Sequence, residues 1–125
     1  MTKLHPVLIV DDDEEIRESM IDFLQDHGYA PVGATNGKDA LDKLEGGLPE
    51  PCVIIMDLMM PVMDGLTFRD EQRRHPQLAG IPVIVVSAFR EAAAVVRDMD
   101  CVGLVPKPLD LEKLLRVVRQ LCPGG

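Results

Sequence analysis

The sequence predicts an α/β fold, one parallel five-stranded sheet with helices on both faces, and three observations carry that reading. Val7-Leu8-Ile9-Val10, Val53-Ile54-Ile55-Met56 and Val83-Ile84-Val85-Val86 are short, uninterrupted, mostly β-branched runs, the pattern of strands covered on both sides. Amphipathic segments with helical spacing alternate with these runs. Two weaker strands, 30–35 and 101–105, have a proline within or beside them, Pro31 and Pro106, and proline cannot donate to a ladder. That makes the second and fifth strands edges and gives the flavodoxin-like order 2-1-3-4-5, a (βα)5 three-layer sandwich with right-handed crossovers.

The helices follow from their faces and ends. Ile16, Met20, Phe23 and Leu24 share one face of the first, and Gly28 stands where a C-cap would be. Ala40, Leu41 and Leu44 follow an N-cap at Asn36, and Gly46-Gly47 stops the second. Asp64 caps a third helix carrying Leu66 and Phe68, with Gln72 a further candidate, which ends before Pro76. Asp110 precedes a stripe of Leu111, Leu114, Leu115, Val118 and Leu121 or Cys122.

Composition narrows the function. The 125 residues suit one domain with one core, 46% hydrophobic and 27% charged. With 21 acidic against 13 basic residues, the formal charge of -8 opposes binding to a phosphate backbone, so no direct nucleic-acid partner is expected. The four aromatics, Phe23, Tyr29, Phe68 and Phe89, are too scattered to form a base-stacking platform. The longest apolar stretches are too short to span a bilayer and the first residues lack the apolar stretch of a signal peptide, so a cytoplasmic chain without membrane contact is expected. Cys52, Cys101 and Cys122 form an odd set with no C-x-x-C pair, a pattern expected of reduced thiols rather than a disulfide framework. His5, His27 and His75 show no zinc-ligand spacing.

Open parallel sheets bind ligands beyond the carboxyl ends of their strands, so the residues just after each strand are the informative ones. These are Asp11, Asp12 and Asp13, then Asp57, then Ser87, then Lys107 followed by Pro108. If the first and third strands are neighbours, Asp11, Asp12 and Asp57 converge, and carboxylates that close repel by about 1 to 4 kcal/mol per pair. A hard divalent ion offsets that, and Mg²⁺ suits one or two carboxylates plus waters and phosphate oxygens. Asp57 could then act as a nucleophile on a phosphoryl group, with the ion, the Lys107 ammonium and the Ser87 hydroxyl each holding one equatorial oxygen. Taken singly, each residue has a plainer reading: Asp11 to Glu15 as an acidic helix start, Ser87 as a turn residue, Lys107-Pro108 as a surface loop. In its functional form the Lys107-Pro108 bond would be cis, with the ammonium turned inward. The joint pattern is what points to phosphoryl chemistry.

Over nearly its whole length the chain resembles the receiver domain of two-component response regulators, in Val-Leu-Ile-Val-Asp-Asp (7–12), Met-Asp-Leu-Met-Met-Pro-Val-Met-Asp-Gly (56–65), Val-Ile-Val-Val-Ser-Ala (83–88) and Val-Pro-Lys-Pro (105–108). The resemblance implies a receiver domain over residues 1–122, with 123–125 a tail or the start of a truncated linker. It implies that Asp57 accepts a phosphoryl group from the phosphohistidine of a sensor histidine kinase or phosphotransfer protein. Asp12, Asp57 and the Met59 carbonyl would bind Mg²⁺, with Asp11 acting mostly through a water, and Ser87 and Lys107 would be the switch hydroxyl and the pocket lysine. The apolar Met59 and Phe89 beside the pocket lead us to expect a long-lived aspartyl phosphate.

Two departures bear on output. The family's switch aromatic three residues before the lysine is Leu104 here, and only 20 residue steps separate Ser87 from Lys107, with Asp100-Cys101 where Gly-Ala is common. A shortened fourth helix or a trimmed loop beside it is expected. The chain would be a signalling phosphoacceptor rather than an enzyme, acting on an unknown downstream protein or a fused output domain, with a homodimer through the fifth helix compatible with its apolar residues. Two alternatives compete: a receiver-like docking domain that works without phosphorylation, and a Mg²⁺-dependent phosphatase turning over an aspartyl phosphate. The phosphatase would want a second acid two residues after its nucleophile, where this chain has Met59.

Overall fold

A computed structural model describes residues 5–88, 92–99 and 101–123. Strands β1 (His5–Val10), β2 (Tyr29–Ala34), β3 (Val53–Asp57), β4 (Val83–Ser87) and β5 (Gly103–Pro106) alternate with helices α1 (Glu14–Asp26), α2 (Gly37–Glu45), α3 (Gly65–Arg74), α4 (Ala92–Asp98) and α5 (Leu111–Leu121). The sheet is parallel in the order β2-β1-β3-β4-β5, as expected from the edge prolines. β2 and β5 each lie one residue or more from the expected bounds. The seven residues of α4 make it the shortest helix among the described residues.

Strand periodicity divides the core in two. Leu8, Val10, Ile54, Met56, Val83 and Val85 face Ala40, Leu41, Leu44, Phe68 and Val96 of α2, α3 and α4. Val7, Ile9, Val53, Ile55, Ile84, Val86 and Val105 face Met20, Leu24, Leu114, Leu115 and Val118 of α1 and α5. Each inner-strand side chain is therefore buried on one helical layer or the other, worth about 1.5 to 3 kcal/mol apiece for the larger ones. α5 turns Leu114, Leu115 and Val118 inward, which accounts for most of its stripe without a dimer.

Asn36, Asp64 and Asp110 cap α2, α3 and α5 as expected, and Asp13 caps α1 by accepting from the N–H groups of Glu15 and Ile16. The α3 face needs correction. Leu66 is exposed, and the buried stripe is Gly65, Phe68, Arg69 and Gln72. The cap at Asp64 sets the helix phase, and that phase turns the second helical residue to solvent. Gln72 is buried because its amide donates to the carbonyls of Leu78 (2.8 Å) and Ile81 (3.0 Å), while Arg69 donates to Gln72 Oε1 (2.7 Å) and, with Arg73, to the Met99 carbonyl. A polar hub thus ties α3 to the loops that enter β4 and leave α4.

The expectation of reduced thiols is also overturned. Cys52 and Cys122 form a disulfide, with Cα atoms 5.9 Å apart and a sequence separation of 70. Spacing rules miss such a pair because topology makes it: Cys52 precedes β3, and α5 packs back so that its C-cap residue, Cys122, meets that point. The buried Tyr29 hydroxyl donates to the Cys122 carbonyl at 2.7 Å, fixing the same turn from β2. At this amino-terminal end of the sheet, α2 also stops in a left-handed Gly47, and the exposed Pro49 and Glu50 lead to the buried Pro51.

Candidate phosphoacceptor site

The parallel register brings four strand ends together. Asp57 closes β3, Ser87 closes β4, Asp11 follows β1 and Lys107 follows β5. Asp57 pairs with Val86 across the sheet and Ser87 with Pro106, so the three interior ends and the edge end are aligned. Asp11 is 0% exposed, Ser87 3% and Asp57 7%, whereas Asp12 lies at the surface.

One carboxylate oxygen from each of Asp11, Asp12 and Asp57 lies within 4.8 Å of the others. The Lys107 ammonium donates to Asp57 Oδ2 at 3.0 Å and stands 3.6 Å from Asp11 Oδ2. The Met59 N–H donates to Asp57 Oδ1 at 3.3 Å, and the Asp13 N–H to Asp11 Oδ1 at 2.9 Å. Asp11 Oδ2 is buried without a hydrogen bond, and its countercharge is the Lys107 ammonium 3.6 Å away, which it shares with Asp57. An all-oxygen set with one orphaned carboxylate oxygen fits a hard ion such as Mg²⁺. Burial pushes the Asp11 carboxyl above its ordinary value, against the Asp13 N–H and Lys107, which pull it down. Burial works to lower the Lys107 ammonium, but the hydrogen bond and charge of Asp57, with Asp11, hold it above its ordinary value.

Both readings of the acidic run therefore apply, to different residues: Asp13 caps α1, while Asp11 and Asp12 turn to the site. The Lys107–Pro108 bond is cis. Met59 sits in the loop after Asp57 with its side chain largely exposed, and Phe89 lies outside the described residues. Leu104 is half-buried against the core on the α4 side of the sheet. Sequence reasoning missed Arg17, whose guanidinium donates to the Asp11 carbonyl at 2.8 Å and steadies the acidic loop from α1. Its place one turn into an acidic helix carries no signal beyond a surface charge.

The β3–α3 loop is tightly built. A Cβ on Gly65 would come within 3.1 Å of the Asp57 carbonyl, and one on Gly37 within 2.8 Å of Met63 Cγ. The Met63 N–H closes a three-residue turn on the Pro61 carbonyl, with Val62 at φ 69° and 83% exposed. A β-branched residue is strained in that region. Val62→Asn is therefore expected to stabilise the protein by about 1 kcal/mol, read as a higher urea midpoint at unchanged slope. An unchanged or lower midpoint would show that the turn carries no such strain.

Comparison with known proteins adds the family. The family model described as "Response regulator receiver domain" matches residues 7–119. The chain belongs to the response regulator receiver domain family. This receiver domain is 33% identical over 122 residues to the regulatory protein AtoC of Escherichia coli K12, covering 96% of this chain and 26% of AtoC. It is 33% identical over 118 residues to the response regulator Rre1 of Synechocystis, covering 92% of this chain and 50% of that protein. The receiver domain thus spans between a quarter and half the length of these relatives. Among solved structures, the chemotaxis response regulator CheY4 of Vibrio cholerae superposes with a TM-score of 0.86 at 30% identity, covering 95% of this chain and 99% of that one. A response regulator receiver protein from Pseudomonas putida gives 0.86 at 32% identity, covering 96% and 99%. No helix among the described residues is long and apolar enough to cross a membrane.

Proposed function

We propose that this receiver domain takes a phosphoryl group onto Asp57 from a phosphohistidine of a sensor kinase or phosphotransfer protein, and that the modified domain changes its affinity for a downstream protein or fused output domain. The observation that carries the reading is the Lys107 ammonium at 3.0 Å from Asp57 Oδ2, facing an acidic cluster with an orphaned oxygen. An Asp57 oxygen forms the new P–O bond as the P–N bond breaks, and the released electron pair stays on the imidazole nitrogen of the donor. Lys107 sits where it would neutralise one equatorial oxygen, and the Ser87 hydroxyl, at the end of the neighbouring strand, where it would hold a second. Asp11, Asp12, Asp57 and the Met59 carbonyl would hold Mg²⁺, which supplies positive charge to the remaining phosphoryl oxygen. A groove of about 290 Å³ lined by Glu15, Ile16, Ser19, Leu109 and Leu111 opens between the start of α1 and the turn after Lys107, beside the site, and suits a helix presenting the donor histidine.

The test is incubation with Mg²⁺ and acetyl phosphate, followed by intact-mass measurement. Gain of one phosphoryl group that Asp57→Asn loses, and that chelation of the metal prevents, is the expected result. No gain, gain retained in Asp57→Asn, or sustained turnover of a phosphomonoester would overturn the proposal. With the apolar Met59 beside the acceptor, the phosphoryl group is expected to persist after the donor is removed, and Met59→Glu to shorten its lifetime about tenfold by drawing in and activating water.

A further inference from the structure

We propose that Cys52 and Cys122 are a reversible thiol–disulfide latch that fastens the last turn of α5 to the start of β3, separately from the chemistry at Asp57. The placement carries this. β3 is five residues long, with the disulfide immediately before it and Asp57 as its last residue, so the latch and the acceptor occupy opposite ends of one strand, about 17 Å apart. None of the site's hydrogen bonds involves either cysteine. Cys122 is buried while Cys52 is partly exposed, so an incoming thiol meets the pair from the Cys52 side. Opening the bond leaves the rest of the core intact. Cys52 keeps its N–H on the Pro6 carbonyl, and Cys122 keeps its N–H on the Val118 carbonyl and its own carbonyl on the Tyr29 hydroxyl.

The oxidant is a low-molecular-weight disulfide of the glutathione class. One protein thiolate attacks it, forming a mixed disulfide and expelling one small thiol; the second protein thiolate attacks the mixed bond and expels the other. Two protein thiols are oxidised, one small disulfide is reduced to two thiols, and the two protons lost by the protein end on them. The reverse sequence opens the latch. Disulfides in thiol-rich surroundings are characteristically transient and used for sensing, a regime that a pair with one partly exposed sulfur suits.

The experiment uses the unmodified chain. It is equilibrated without denaturant across ratios of reduced to oxidised glutathione, quenched with acid, alkylated in denaturant and weighed intact. Since the chain has three cysteines, the latched form takes one alkyl group, on Cys101, and the open form three. We expect the two forms to interconvert in both directions and amide exchange in residues 118–122 to speed up at least about tenfold on opening. Three results would each overturn the proposal. They are three alkyl groups at every ratio, a bond that excess thiol leaves closed in the native protein, and equal exchange at 118–122 in both forms. A disulfide-linked dimer through Cys101 in place of the internal bond would do the same.

Discussion

Removing the disulfide with Cys52→Ala/Cys122→Ala is expected to lower the unfolding free energy by about 4 kcal/mol, the figure for cross-linking a loop of this size in the unfolded chain. Domains of this length hold about 5 to 15 kcal/mol in all, so the loss is a large share of the fold's stability. At a urea slope of about 1 to 3 kcal/mol/M the midpoint should fall by more than 1 M. Dithiothreitol should produce a comparable fall in the unmodified protein and none in the double variant. The alanines also remove part of the buried Cys122 packing, so the reductant comparison is the decisive arm. Coincident midpoints with and without reductant would mean that the bridge contributes nothing to stability.

Replacing Lys107 by Met should move two observables in opposite directions. The ammonium is the charge nearest both buried carboxylates, 3.0 Å from Asp57 and 3.6 Å from Asp11. Without it the metal-free protein keeps three acidic groups with no cation among them, at a cost of about 2 to 3 kcal/mol. The same loss makes the pocket more attractive to a divalent ion, so Mg²⁺ should bind about tenfold more tightly by calorimetry. Phosphoryl transfer from acetyl phosphate should nonetheless drop at least about a hundredfold, because one equatorial oxygen loses its partner. Unchanged transfer would remove Lys107 from the proposed machinery. The pH dependence follows from the two raised groups. Lys107 binds its proton more tightly folded than unfolded, so its contribution is complete below the ordinary value of 10.5 and is lost as pH rises through the folded value; Lys107→Met should abolish that alkaline loss. Asp11 is raised from 3.8, so the metal-free protein should lose stability as pH climbs from there through its folded value, and added Mg²⁺ should reverse that loss.

Much of this architecture was legible because strand burial and chain connectivity leave separate marks. Uninterrupted β-branched runs identified the inner strands, and two prolines identified the edges. The strand order followed, and with it the meeting of Asp11, Asp12, Asp57, Ser87 and Lys107. What escaped has a common physical cause. Leu66 is apolar yet exposed, because helix phase, which the Asp64 cap decides, outweighs apolar character. Arg69 and Gln72 are buried through hydrogen bonds to carbonyls of distant loops, and nothing in their local sequence announces those carbonyls. The disulfide is the extreme case, a contact across 70 residues that exists only once β3 and α5 are packed.

The turn between α2 and β3 has a practical use. Pro49 and Glu50 stand in solvent, beyond the hydrogen bond from the Leu48 N–H to the Lys43 carbonyl that finishes the helix and ahead of the buried Pro51. Chain spliced between them interrupts no ladder and no cap, and it emerges from the floor of the molecule, away from the acidic mouth. A fluorescent protein inserted there would report on the domain without obstructing whatever docks at the other end.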